Sequence, residues 1–232
     1  MSDYGYAGPV AEAQESVRAE FIKKTYQHLA FAILAFIGIE ALLLNSPLAP
    51  ALTKLMIGGY RWLIVLAAFM GVSWIADSWA RSSTSRQVQY AGLALYVFAE
   101  SIIFVPLLYI ANEYAPNVIP MAGIFTLLLF GGLTYTAFTS GKDFSFLGGM
   151  LKIGGFAAMG VIVCAIVFGF GLGMFFSLFM ILFAAGTILY STSNVLRYYN
   201  PDQYVAASLS LFASVALLFW YIIQFLMSLS SD

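Results

Sequence analysis

Residues 153–196 read IGGFAAMGVIVCAIVFGFGLGMFFSLFMILFAAGTILYSTSNVL, 44 residues without a charged side chain. As one straight helix this run would reach about 66 Å, over twice the roughly 30 Å of hydrocarbon in a bilayer. It must fold back on itself. The glycines of GFGLG at 169–173 mark the turn, because glycine adopts turn conformations at no steric cost. Two crossings follow, near 153–170 and 174–196.

The rest of the chain has the same character. Of 232 residues, 62% are hydrophobic and 9% charged, with mean hydropathy +0.90. A soluble domain is about 45–50% apolar and about 25% charged. The excess cannot be hidden in one soluble core, so the chain is an integral membrane protein. Further apolar segments of spanning length lie at 26–45, closed by NSPLAP, and at 62–80 and 88–110. Another, 118–139, follows the breaker APNVIP, and the last, 203–229, is entered through NPD. The expected fold is an all-α, seven-transmembrane helical bundle over 26–229. It is flanked by a polar, partly disordered tail at 1–25 and a short C-terminal tail at 230–232. Residues 1 to about 15 are expected to be mobile, with 12–24 forming an amphipathic surface helix that runs into the first span. The tail lacks the apolar core and small-residue cleavage site of a secretory signal.

Basic residues orient the bundle. Arg18, Lys23, Lys24, Arg81, Arg86, Lys142, Lys152 and Arg197 fall on one side of the seven crossings, and Lys54 and Arg61 on the other. The positive-inside rule places the N-terminus in the cytoplasm and the C-terminus outside. A net charge of −1 offers no basic patch for nucleic acid. The single cysteine, Cys164, excludes an internal disulfide and reads as a small buried hydrophobe.

Motifs of soluble enzymes are missing: there is no HExxH, P-loop or dinucleotide fingerprint, and no nucleophile–base pair. The chain does not read as an enzyme. His28, the one histidine, stands at the start of the first span and reads as an interfacial polar residue. A retinal pigment would need a lysine in the seventh span, which has none. Ionisable groups within spans are costly and functional by default. Asp77 stands one turn before Arg81, at the spacing of a structural ion pair. Glu40 lies near the outer end of the first span, within reach of water. Glu100 falls in the middle of the third, and should face the interior or a cavity.

Small polar residues gather late in the chain. Ala184, Thr187, Ser191 and Asn194 share one face of the sixth span. Gln203, Ala207, Ser210, Ser214, Tyr221 and Gln224 share a face of the seventh. Helices in lipid pack through such residues, each interhelical hydrogen bond contributing about 1 kcal/mol or less. Glue between the two helices is one reading of these faces; the lining of a hydrated path is the other. Gly154 and Ala158 form a small-xxx-small pair suited to close helix contact.

With the spans placed, GKDFSFLGGML at 141–151 is the most specific string in the chain. It resembles the signature preceding the fifth helix of the transmembrane Bax inhibitor motif family, in particular its bacterial YccA-like branch. ILYSTSNV at 188–195 and FVPLLYIA at 104–111 are similar to that branch as well. The resemblance implies six helices around a central seventh. It also implies one of two activities: a pH-sensitive calcium leak latched by paired acids on the sixth and seventh helices, or modulation of a membrane protease or of stress and cell-death complexes. No cofactor is implied, calcium entering only as a transported ion, and any metal site is left unassigned. Ser191 and Ser214 stand at the two latch positions, where hydroxyls replace the acids. Glu100 is then the candidate internal acid, with Asn194 and Ser210 beside the latch. Lys142 and Asp143 belong to the signature loop, where Asp143 is expected to cap a helix or form an ion pair. The implied home is a bacterial inner membrane.

Overall fold

A computed structural model describes residues 8–82 and 85–230. Among these residues the fold is all helical: α1 (Glu15–Leu44), α2 (Leu48–Met56), α3 (Tyr60–Ala80), α4 (Arg86–Tyr114), α5 (Val118–Thr139), α6 (Leu147–Phe168), α7 (Gly173–Arg197) and α8 (Tyr204–Ser230). Seven of the eight are long and apolar enough to cross a membrane. The exception, α2, was not anticipated. It starts inside NSPLAP, where Pro47 at the N-cap costs the helix no needed N–H. The α6–α7 turn falls where the glycines place it. Gly169 takes φ 73° at the end of α6, and its amide and that of Phe170 return to the Ala165 carbonyl, closing the helix with left-handed geometry.

Alternate helices run in opposite directions, so one face of the bundle carries the described N-terminal residues together with the α3–α4, α5–α6 and α7–α8 connections. This N-terminal face holds eight of the ten Lys and Arg residues. Arg61 lies on the opposite face, where it donates to the Lys54 carbonyl at 3.2 Å.

The centre belongs to α8, which packs against α1, α3, α4, α5 and α7. Its buried positions surround the helix rather than forming a stripe, as expected of a helix with protein on every side. α4 shares the interior: just over half of its most apolar window is buried, as in α8. Aromatic rings join them. Phe104 of α4 meets Phe36 of α1 edge-on at 5.1 Å, Trp220 of α8 edge-on at 4.9 Å, and stacks on Phe219 at 5.9 Å.

Two expectations about burial need correction. Residues 1–7 of the tail lie outside the described residues, but the short turn at Val10–Glu12 is anchored to the bundle. Val10 is fully buried, and its amide donates to the Tyr199 carbonyl at the end of α7 at 2.8 Å. Cys164 is exposed on α6. Lipid solvates apolar groups as well as a protein core does, so an oily neighbourhood in sequence does not imply burial.

At Gly92 the backbones of α3 and α4 approach closely. A Cβ added to Gly92 would stand 2.5 Å from the Ala76 carbonyl oxygen and 2.6 Å from the Ala80 nitrogen. Gly154 and Gly148 instead make room for rings of α7, Phe183 and Tyr190.

Candidate functional site

The small polar faces of α7 and α8 meet. Ser191 Oγ lies 3.1 Å from Ser214 Oγ, and Ser210 Oγ donates to Ser191 Oγ at 3.2 Å. Ser214 Oγ also lies 3.0 Å from its own-helix carbonyl, Ser210 O. Ser191 and Ser214 are buried, and these hydrogen bonds satisfy hydroxyls that would otherwise be stranded in a low-dielectric interior. Asn194, one turn further along α7, is half-buried. Thr187, one turn before Ser191, bonds back to the Ala184 carbonyl at 2.7 Å.

Beside the hydroxyls lies a cavity of about 840 Å³ bounded by α3, α4, α6, α7 and α8. Trp62, Leu172, Gly173 and Ser228 line it; all four lie at helix ends on the face opposite the N-terminus. Its inner end is formed by Tyr96, Glu100, Thr187 and Ser214. From Ser228 to Ser214 is a distance of about 21 Å along α8, so the cavity penetrates to mid-bundle. Its walls are mainly aromatic and aliphatic, with Trp62 and Trp220 stacked at 6.1 Å.

Glu100 is the acid at the inner end. It is the fifteenth of the 29 residues of α4 and only 6% exposed. Its polar neighbour is the Tyr96 side chain, one turn earlier. None of the ion pairs among the described residues includes it. Glu40 departs from expectation. It is 4% exposed and neither carboxyl oxygen has a hydrogen-bond partner. It follows Phe36 on the inward face of α1, so proximity to the helix end does not bring it water.

Toward the N-terminal face, a second group of buried hydroxyls lies between α1, α5 and α7. Tyr26 Oη has Thr134 and Thr192 beside it and closes a hydrogen bond with neither.

The signature loop is clasped to the end of α7. Asp143 accepts from the Ser145 amide at 2.9 Å, from Ser193 Oγ at 3.0 Å and from the Tyr198 hydroxyl. Ser193 Oγ accepts from the Phe144 amide at 3.0 Å, and Arg197 donates to the Gly141 carbonyl at 2.7 Å. The Tyr198 hydroxyl and the Ser145 amide hold the Asp143 carboxyl well below the usual carboxylate range. Asp143 therefore does not cap α6, whose N-cap is Phe146, and it is in none of the ion pairs among the described residues. Neutral donors from a different helix make a cation unnecessary. Lys142 is exposed beside it. Sequence reasoning missed Ser193 and Tyr198, and the signal available was a hydroxyl-rich helix end facing an acid in a tight loop.

Asp77, Arg81 and His28 are also on the N-terminal face. Arg81 Nε donates to both oxygens of Asp77, at 3.0 and 2.8 Å, and its guanidinium lies over the Tyr199 ring. His28 contacts the Lys24 carbonyl at 2.7 Å and lies between the rings of Tyr90 and Tyr204. The described residues contain no group of three or more His, Cys, Asp or Glu arranged to hold a metal ion.

Comparison with known proteins agrees with this architecture. The family model described as Inhibitor of apoptosis-promoting Bax1 matches residues 18–231. An uncharacterized protein of Pseudomonas aeruginosa is 27% identical over 97% of this chain and 96% of its own length. Bax inhibitor 1 of Schizosaccharomyces pombe is 28% identical, covering 97% of this chain and 82% of its own. The Golgi anti-apoptotic protein of Vaccinia virus is 25% identical over 97% and 92%.

Proposed function

The chain belongs to the family of inhibitors of apoptosis-promoting Bax1, and from that membership we propose that this multi-pass membrane protein provides a leak pathway for cations, calcium among them. The observation that carries the reading is the buried carboxyl of Glu100 at the inner end of a cavity running to mid-bundle. An acid at that depth, without a basic partner, is the group a permeating cation requires. Between it and the N-terminal face lie the hydroxyls of Ser191, Ser210 and Ser214 and those of Tyr26, Thr134 and Thr192, polar groups that support a path in that direction. The serines carry no charge and do not titrate near neutrality. The titratable group along this path is therefore Glu100 rather than a carboxylate pair. The protein resides in a bacterial inner membrane with its N-terminus in the cytoplasm, an orientation supported by the eight-to-two distribution of basic residues.

Purified protein in liposomes holding a calcium indicator tests this. Flux above that of empty vesicles is expected, with most of it lost in Glu100→Gln. Absence of flux from correctly folded protein refutes it.

A second reading is a modulator of a membrane protease or of a stress or cell-death complex. It is favoured by the uncharged Ser191–Ser214 contact, which removes the titratable latch without disturbing helix packing. Co-purification of a membrane protease with protein that passes no calcium would select it.

A further inference from the structure

The cavity's chemistry suits a second kind of occupant. A resident calcium ion takes about six to eight oxygen ligands. The inner end offers one carboxyl, from Glu100, and hydroxyls of Thr187 and Ser214 already engaged with helix carbonyls at 2.7 and 3.0 Å. A calcium ion in transit can keep its water, but nothing here would retain it. The walls have another preference. Trp62, Phe69, Phe104 and Trp220 present aromatic rings along the space leading to Glu100. Aromatic faces attract cations, most strongly where water is excluded, and apolar walls favour a ligand whose body is itself apolar. A volume of about 840 Å³ is within the roughly 300–1,000 Å³ range of pockets that enclose drug-sized molecules.

We propose that this cavity is a binding site for a lipophilic organic monocation, its charged centre drawn toward Glu100 and its apolar body held between Trp62, Phe104 and Trp220. Charge complementarity selects the occupant: a cation gains the attraction of the Glu100 carboxylate as well as the walls, whereas a neutral acyl chain gains the walls alone. Entry is from the face opposite the N-terminus, where the cavity reaches Gly173 and Ser228. The inference concerns equilibrium occupancy and does not rest on ion conduction.

The test uses the full chain in lipid nanodiscs with tritiated tetraphenylphosphonium. Saturable binding above empty nanodiscs is expected, with at least a tenfold loss of affinity in Glu100→Gln and loss in Leu217→Trp, which fills the space beside Trp220. Neutral triphenylphosphine oxide should displace the probe at least tenfold less effectively than unlabelled tetraphenylphosphonium. Quenching of tryptophan fluorescence, followed in a background with Trp74 and Trp79 replaced by phenylalanine so that Trp62 and Trp220 report alone, provides a second reading. Equal binding by folded Glu100→Gln, equal competition by the neutral compound, or no saturable binding each overturns the proposal; the first two are the results expected if the site holds a lipid tail. Binding without calcium flux would refute only the leak, and flux without binding only this site.

Discussion

Replacing Gly92 by alanine should damage the bundle more than any change of one methyl group elsewhere on α4. The new Cβ would lie 2.5 Å from Ala76 O, 2.6 Å from Ala80 N and 3.0 Å from Trp79 Cβ. The first contact is about 0.9 Å short of the 3.4 Å at which ordinary contact begins. Two of the three obstacles are backbone atoms of α3, so no side-chain rotation relieves them and the helices must separate. Overpacking costs roughly 1–3 kcal/mol, and a backbone clash belongs at the top of that range, about 3 kcal/mol. At about 1.4 kcal/mol per decade, the folded-to-unfolded ratio should fall roughly a hundredfold. Reversible unfolding in mixed micelles by SDS titration measures this directly. Gly123→Ala is the control: nothing lies within 4 Å of its added Cβ, and alanine should gain up to about 1 kcal/mol of helix propensity. The effect should also reach the cavity, because Tyr96 and Glu100 follow Gly92 on α4 at one-turn intervals, while Phe69 and Met70 face them from α3. A loss below about 0.5 kcal/mol for Gly92→Ala would refute the claim that this contact sets the α3–α4 spacing.

Four other changes test separate parts of the structure. Glu40→Leu should stabilise the protein by about 1 kcal/mol or more, seen as a higher SDS midpoint, because it removes a buried carboxyl with neither oxygen partnered. Tyr198→Phe should lower thermal stability at neutral pH. Asp143 has a depressed folded-state pKa, so its clasp contributes fully above the ordinary carboxylate value of about 3.9 and is lost as pH falls through the lower folded value. The wild-type advantage over Tyr198→Phe in melting temperature should therefore be flat near neutrality and shrink only in strong acid. Ser214→Asp should make calcium flux steeply pH-dependent in liposomes by placing a titratable group against Ser191; a flat profile would argue that the hydroxyl contact is not on the pathway. Val10→Asp should free residues 8–14 from the end of α7, read as faster hydrogen exchange at the Val10 amide with the spans still protected.

The hydrophobic runs disclosed the seven spans, and the 169–173 glycines the turn between α6 and α7, because both follow from chain length against bilayer thickness. The meeting of Ser191 and Ser214 was legible too, since helical periodicity fixes which residues share a face and a short connection forces α7 and α8 together. Which apolar or acidic residue faces protein and which faces lipid was not legible. Cys164 was misplaced for this reason: in hydrocarbon, apolarity no longer signals burial. Glu40 was misplaced because nearness to a helix end does not tell which face turns inward, and Val10 because its partner, the Tyr199 carbonyl, lies at the far end of the sequence. Gly92 was overlooked although Ala76 and Ala80 supply the matching small pair four residues apart on α3. The loop clasp on Asp143 depends on Ser193 and Tyr198, fifty and fifty-five residues downstream, a pairing no local pattern reveals.

The helix at the centre is also the last of the eight to leave the ribosome. Until residues 204–230 enter the bilayer, the inward sides of α1, α4, α5 and α7 have no common axis to settle on. Earlier segments can insert one by one, as independently stable helices do, but their final arrangement must await residues 204–230. A nascent chain halted before Tyr204 would therefore hold six inserted spans without their central helix, a substrate for quality control rather than a shortened version of the finished protein.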